Sequence, residues 1–188
     1  MPTYVAFLRA INLGRNRKLP MADLRTWLEQ AGLEDVETYI NTGNVRFTTS
    51  MRSRPKIEKY LEDVLAAGCG FDVPAILFSP AELKQVHDDA MQIPTPPFGN
   101  RDGQRRYVTF FKESDAPDAD AAVQIAAWSD KAESDKAESA RAIGRAVHVW
   151  LARPSQDAKF FSAFKKVLAL GTNRDLKVVR TLAERWGS

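Results

Sequence analysis

Cysteine is almost missing from this chain of 188 residues: Cys69 stands alone, so no internal disulfide can form and an exported, disulfide-stapled scaffold is excluded. Histidine is nearly as scarce. His87 and His148 lie at no metal-ligand spacing from each other or from Cys69, which leaves no zinc pattern, and pairing Cys69 with either as nucleophile and base has no further support. No apolar run reaches the roughly 18 residues of a membrane span. The opening "MPTYVAFLRAINL" has neither a basic leader nor a small-residue cleavage site, so the expected location is the cytoplasm.

Glycine-rich phosphate motifs are also lacking. Gly68-Cys69-Gly70 follows a helical pattern and has no downstream glycine, and no G-x-x-x-x-G-K occurs. Ser53-x-x-Lys56 and Ser162-x-x-Lys165 have the spacing of a serine-lysine nucleophile without its partner motifs. No set of residues amounts to a catalytic centre, which favours binding over catalysis, and no cofactor or metal is expected. Charge of one sign barely dominates, with Lys+Arg 27 against Asp+Glu 24 and a net +3. That permits an anionic partner without demanding one, and the excess concentrates in residues 153–188.

What is present is periodicity. Thr3 to Ala10 reads as a buried strand, and Pro20 opens a helix with Met21, Leu24, Leu28 and Ala31 at helical spacing before Gly32. "VETYINTGNVRFTT" reads as a hairpin turning at Thr42-Gly43. Ser53 and Pro55 open a second helix that Gly68 ends, and "VPAILF", residues 73–78, follows as a strand. The order β-α-β-β-α-β predicts an α+β fold of the ferredoxin-like kind, the split βαβ or α/β-plait. "SPAE" at 79–82 then caps one further helix.

Pro, Gly, Asn and Asp concentrate in "QIPTPPFGNRDG", so the expected division is a first domain over 1–92, a linker over 93–104 and a second plait-like domain over 105–188. In the second, Arg106–Lys112 reads as a strand, 117–128 as a helix and "AIGRAVHVWLA" as a hairpin turning at Gly144-Arg145. Residues 155–170 read as one helix burying Phe160 or Phe161, Phe164, Val167 and Leu168, and Thr172 with Asp175 as the cap of a last helix. A helix thus stands where a closing strand would complete the likeness. The duplicated unit in "SDKAESDKAES", residues 129–139, matches neither period and reads as a solvated edge strand or loop.

In a split βαβ unit the first and second strands run the same way, so the exit of the first strand and the 41–44 turn emerge at one edge. That edge gathers Arg9, Asn12, Arg15, Arg17 and Lys18 with Asn41, Thr42 and Asn44, beside the start of the Pro20 helix, and Arg174 is a further candidate. Cations, amides and a helix N-terminus suit an anion. Two uses stay open, because Asn and Gly also serve simply to build tight loops. The expected partner is a phosphate-bearing small molecule or nucleic acid. The alternatives are an enzyme acting on a small anionic metabolite at the same edge and a protein-interaction module using Phe160, Phe161, Phe164 and Trp186. Base stacking on the sheet is not supported, because "NVRFTT" lacks the aromatic pattern of RNA-binding third strands.

Residues 7–47, "FLRAINLGRNRKLPMADLRTWLEQAGLEDVETYINTGNVRF", resemble the opening signature of the bacterial family known as domain of unknown function 1697, in which L-R-G-I-N-V-G-G precedes a Pro-Met pair and T-Y-I-x-S-G-N-V. "GTNRDLKVVRTLAERW" resembles its later T-x-R-N-W-x-T-V-x-K-L segment more loosely. Ala10 and Arg15 replace glycines of the pattern, and Asp175-Leu176 replaces Asn-Trp. The resemblance implies two α/β-plait domains and no established activity.

Overall fold

The computed structural model describes residues 1–14, 17–96, 98, 105–135, 137–152 and 155–188, with the backbone alone at 132–135. Two compact units emerge, one of Met1–Lys84 with Leu182–Ser188 and one of Gln85–Thr181. The division falls inside a helix rather than at 93–104, and the last seven residues return to the first unit. Residues 97 and 99–104 of the expected linker lie outside the described residues.

The first unit runs β1 (Thr3–Leu8), α1 (Met21–Gln30), β2 (Glu34–Tyr39), β3 (Asn44–Thr48), α2 (Arg54–Cys69) and β4 (Ala75–Phe78), followed by α3 (Pro80–Gln92). Its four strands form an antiparallel sheet in the order β2-β3-β1-β4. Alternation along each strand sends Tyr4, Ala6, Leu8, Val45, Phe47, Ala75 and Leu77 into one core with Leu24 and Leu28 of α1 and Ile57, Leu61 and Leu65 of α2. The two periods, 2.0 for strands and 3.6 for helices, meet on that face.

Local chemistry accounts for most of the boundaries. Ser79 and Glu82 form the expected reciprocal cap of α3, with Ser79 N–H donating to Glu82 Oε2 at 2.7 Å and Glu82 N–H to Ser79 Oγ at 3.2 Å. Two expectations for α2 need correction. Its stop is Gly70, left-handed at φ 77°, while Gly68 stays inside the helix, where a Cβ would lie 2.4 Å from the Trp27 ring. The Ser53 side chain makes no capping bond. β1 also ends at Leu8, two residues early, because Ala10 turns to φ 57°.

The second unit runs β5 (Arg105–Phe110), α4 (Ala119–Asp135), β6 (Glu138–Ile143), β7 (Ala146–Leu151), α5 (Phe160–Ala163), α6 (Lys165–Leu168), β8 (Thr172–Asp175) and the start of α7 (Leu176–Trp186). Its sheet is again antiparallel, in the order β6-β7-β5-β8. The chain is therefore a mixed α+β protein with two four-stranded antiparallel sheets.

Three expectations differ here. Thr172–Asp175 does not begin the last helix but closes the sheet, pairing with Tyr107–Phe110 of β5. Asp175 still caps α7, its Oδ1 accepting Lys177 N–H at 2.8 Å. The segment 155–170 is broken rather than one helix, because Phe164 at φ −106° and ψ 24° separates α5 from α6. That break lets Phe160 and Phe164 stack 5.1 Å apart and both meet Trp128, at 5.4 and 5.9 Å, so these rings belong to the unit's own core. The duplicated segment is not one solvated strand or loop either. Its first copy continues α4, and Ser129 is buried with its Oγ bonded to both N–H and C=O of Ala140, while β6 starts at Glu138. Lys136 lies outside the described residues.

Among the described residues no helix is long and apolar enough to cross a membrane.

Candidate functional site

The edge of the first sheet where β1 ends is built by backbone bonds between distant segments. Leu8 N–H donates to Gly43 C=O at 2.7 Å, tying the strand end to the 41–44 turn, and Arg9 N–H donates to Pro74 C=O at 2.9 Å. Gly43 sits at φ 77°, and a Cβ there would fall 2.7 Å from both Leu8 Cβ and Ile11 Cδ1. The turn thus lies flat against the strand because its apex has no side chain.

Asn12 closes the loop. At φ 53° it adopts the left-handed conformation that asparagine tolerates. Its Nδ2 donates to Asn41 C=O at 2.6 Å and to Leu19 C=O at 3.3 Å, its Oδ1 accepts Leu19 N–H at 2.8 Å, and its own N–H reaches Arg17 C=O at 2.7 Å. One amide side chain therefore joins the loop's two arms and the neighbouring turn. Asn44 does the same inside that turn: fully buried, it donates Nδ2 to Tyr39 C=O and to Thr42 Oγ1, each at 3.0 Å.

Arg17 is likewise architectural. Its Nε donates to Ala10 C=O at 2.7 Å, an Nη donates to Asp72 C=O, and the guanidinium lies over the Phe71 ring at 4.8 Å from its centre. The 71–74 segment that receives Arg9 and Arg17 was not part of the sequence-based site. Only Gly70 and Phe71 mark a turn there, and nothing in that turn names its partner.

Of the nine candidates, then, Asn12, Arg17, Thr42 and Asn44 hold the loops together. Arg9 is half-buried, and Lys18 is exposed. Arg15 lies outside the described residues. Arg174 is in the second unit on β8, where it pairs in register with Val108, donates to Thr172 Oγ1 and Asn173 C=O at 2.8 Å each, and has its pKa lowered by burial to about 10.

A concavity of about 340 Å³ lies at this edge, lined by Asn12, Lys18 and Asn41 together with Pro20 and Met21 at the start of α1. Pro20 occupies the N-cap position of α1 and makes no side-chain capping bond, so the first-turn N–H groups keep their partial positive charge. Arg9 is not among the lining residues. Among the described residues the lining contains no carboxylate, imidazole or thiol, and no group of three or more His, Cys, Asp and Glu converges as a metal site would need. The arrangement can receive negative charge.

A family model described as a protein of unknown function (DUF1697) matches residues 1–148. Among solved structures, a conserved bacterial protein from Streptococcus pneumoniae is similar, at 26% identity and a TM-score of 0.69, with 100% of this chain and 99% of that chain covered. None of the curated proteins matches.

Proposed function

The chain belongs to the DUF1697 family of proteins of unknown function, and from that premise we propose that it is a cytoplasmic binding protein for a phosphate-bearing ligand, a nucleotide or nucleic acid, at the edge formed by the 9–20 loop and the 41–44 turn. We read both units as ferredoxin-like plaits. The repeated strand orders β2-β3-β1-β4 and β6-β7-β5-β8, each with a helix after its first strand, support that reading.

The observation that carries the functional reading is the Asn12 bridge to Leu19 and Asn41. It fixes a loop and a turn beside an uncapped helix start and leaves the Lys18 ammonium exposed at the same place. Side chains that hold backbone in position lower the ordering cost of binding. Cations and N–H groups are the donors that phosphate oxygens take.

Calorimetric titration of the full chain with nucleotides and short RNA and DNA oligomers at low salt tests this. Binding is expected to weaken with added salt. Lys18→Glu is expected to lower affinity by about tenfold. Absence of heat across the whole set at low salt ends the proposal.

A further inference from the structure

We propose that the second unit holds a separate pocket for a small organic anion with an apolar body, walled by the start of β5, the end of α3 and the first turns of α7. This goes beyond the loop-edge reading and does not rest on it, because every described lining residue belongs to the second unit.

The cavity measures about 210 Å³, room for about seven waters at ~30 Å³ each, which suits a small metabolite rather than a polymer. Four cations converge on it: Arg105 and Arg106 from β5, Lys177 and Arg180 from α7. Against them stands, among the described lining residues, one carboxylate, Asp175, and its Oδ1 already accepts Lys177 N–H at 2.8 Å. Cations thus outnumber carboxylates among the described lining residues, concentrated on one cavity rather than spread at the spacing of a nucleic-acid backbone.

Two buried polar atoms of the lining point to a ligand independently of the charge count. His87 Nε2 and Arg106 Nε are both shielded from solvent and have no hydrogen-bond partner, although buried polar atoms are nearly always paired. Arg106 is also held rigidly. Its guanidinium lies 4.0 Å from the centre of the Trp150 ring, and an Nη donates to Ala90 C=O. Burial lowers its pKa to about 10, so the group stays charged at neutral pH in surroundings that penalise charge. An anion in the cavity beside the guanidinium relieves that penalty.

The remaining walls are apolar. Met91 is 53% exposed, and Leu176 is half-buried at the start of α7. A ligand with a hydrocarbon or ring body beside its anionic head covers both, so phenyl phosphate and benzoate are suitable probes, with inorganic phosphate as the head group alone.

The test is titration of the full chain by calorimetry and amide NMR. Phenyl phosphate or benzoate is expected to bind and to shift the amide resonances of residues 87, 105 and 176–180 in the wild type. Arg105→Glu and Lys177→Glu, both at exposed positions, are each expected to weaken that binding about tenfold with no change in the unfolding midpoint. Met91→Ser is expected to weaken phenyl phosphate but not inorganic phosphate at these resonances, and Lys18→Glu to leave the shifts of residues 87, 105 and 176–180 unaltered. Failure of both organic probes to bind, shifts confined to residues outside the pocket, or binding retained in the Arg105→Glu/Lys177→Glu double variant overturns the proposal. Because Lys18 and Arg105 are tested separately, the two proposed sites fail or stand on different results.

Discussion

The Glu58 carboxylate accepts the Leu77 N–H at 3.1 Å, and one turn later Glu62 Oε1 accepts the Ala75 N–H at 3.0 Å. Both donors belong to β4, which stands at the edge of the first sheet, and Ala75 and Leu77 point their N–H groups to the side away from β1. An open edge of this kind is a template for pairing with another chain. Here α2 covers it with two carboxylates spaced four residues apart, so both side chains fall on one helical face. Glu58 is among the buried polar residues because it serves the edge rather than solvent.

Removing these acceptors therefore has two expected consequences. Glu58→Ala removes the carboxylate acceptor of a buried N–H and is expected to cost about 1–3 kcal/mol. The double variant with Glu62→Ala is expected in addition to associate at concentrations where the wild type does not. Urea unfolding reads the first effect and sedimentation velocity the second. Wild-type behaviour in both would show that the two carboxylates do not guard the strand.

Gly43 offers a sharper local test. At φ 77° it occupies a conformation unfavourable for other residues, and a Cβ would meet Leu8 Cβ and Ile11 Cδ1 at 2.7 Å. Gly43→Ala is expected to destabilise the chain by about 2–4 kcal/mol, from backbone strain together with the steric displacement of two buried side chains. The matching control is Gly144→Ala, at φ 55° with nothing within 4 Å of the added methyl; it is expected to cost about 1 kcal/mol, from strain alone. Equal losses in the two variants would contradict the packing argument.

Much of the first unit was legible because each element carries its own signal. Ser79 and Glu82 name a helix start, Gly43 names a turn, and period-2 alternation from Tyr4 to Leu8 names a buried strand. The meeting of the strand exit with the 41–44 turn followed from topology, since parallel first and second strands leave the sheet on one side. The use made of each side chain at that edge was hidden. Asn12 and Arg17 bond to backbone atoms of Asn41 and Asp72, 29 and 55 residues away, and such acceptors exist at every position and leave no mark in a sequence. β8 was missed for a related reason. Thr172-Asn173-Arg174-Asp175 has no apolar alternation and becomes a strand only because β5 offers it a partner. In 155–170 the helical spacing of the aromatics is real, yet packing of Phe160 and Phe164 against Trp128 goes with a break at Phe164 that periodicity does not encode.

His148 makes stability depend on pH in a direction that its environment fixes. It lies on β7 between Arg141 of β6 and Val108 of β5, is 3% exposed, and neither ring nitrogen has a hydrogen-bond partner. Desolvation lowers its pKa from 6.5 to about 4, the carboxylate of Asp89 opposing that shift and Arg106 adding to it. At pH values above 6.5 the ring is neutral in folded and unfolded chains alike, and it makes no pH-dependent contribution. Between 6.5 and about 4 the unfolded chain takes up a proton that the folded chain refuses, so stability is lost as the pH falls through that window. The full loss amounts to about 3 kcal/mol, since each pKa unit corresponds to about 1.4 kcal/mol. His148→Met, of similar volume and without a titrating group, is expected to remove that part of the acid sensitivity. It is also expected to match or exceed wild-type stability at pH 7, because it deletes two unpaired buried nitrogens. Urea unfolding of both proteins at pH 7.0, 5.5 and 4.5 separates this from carboxylate titration, which is common to the two. Parallel pH profiles for wild type and variant would mean that His148 takes up its proton in the folded chain as readily as in the unfolded one.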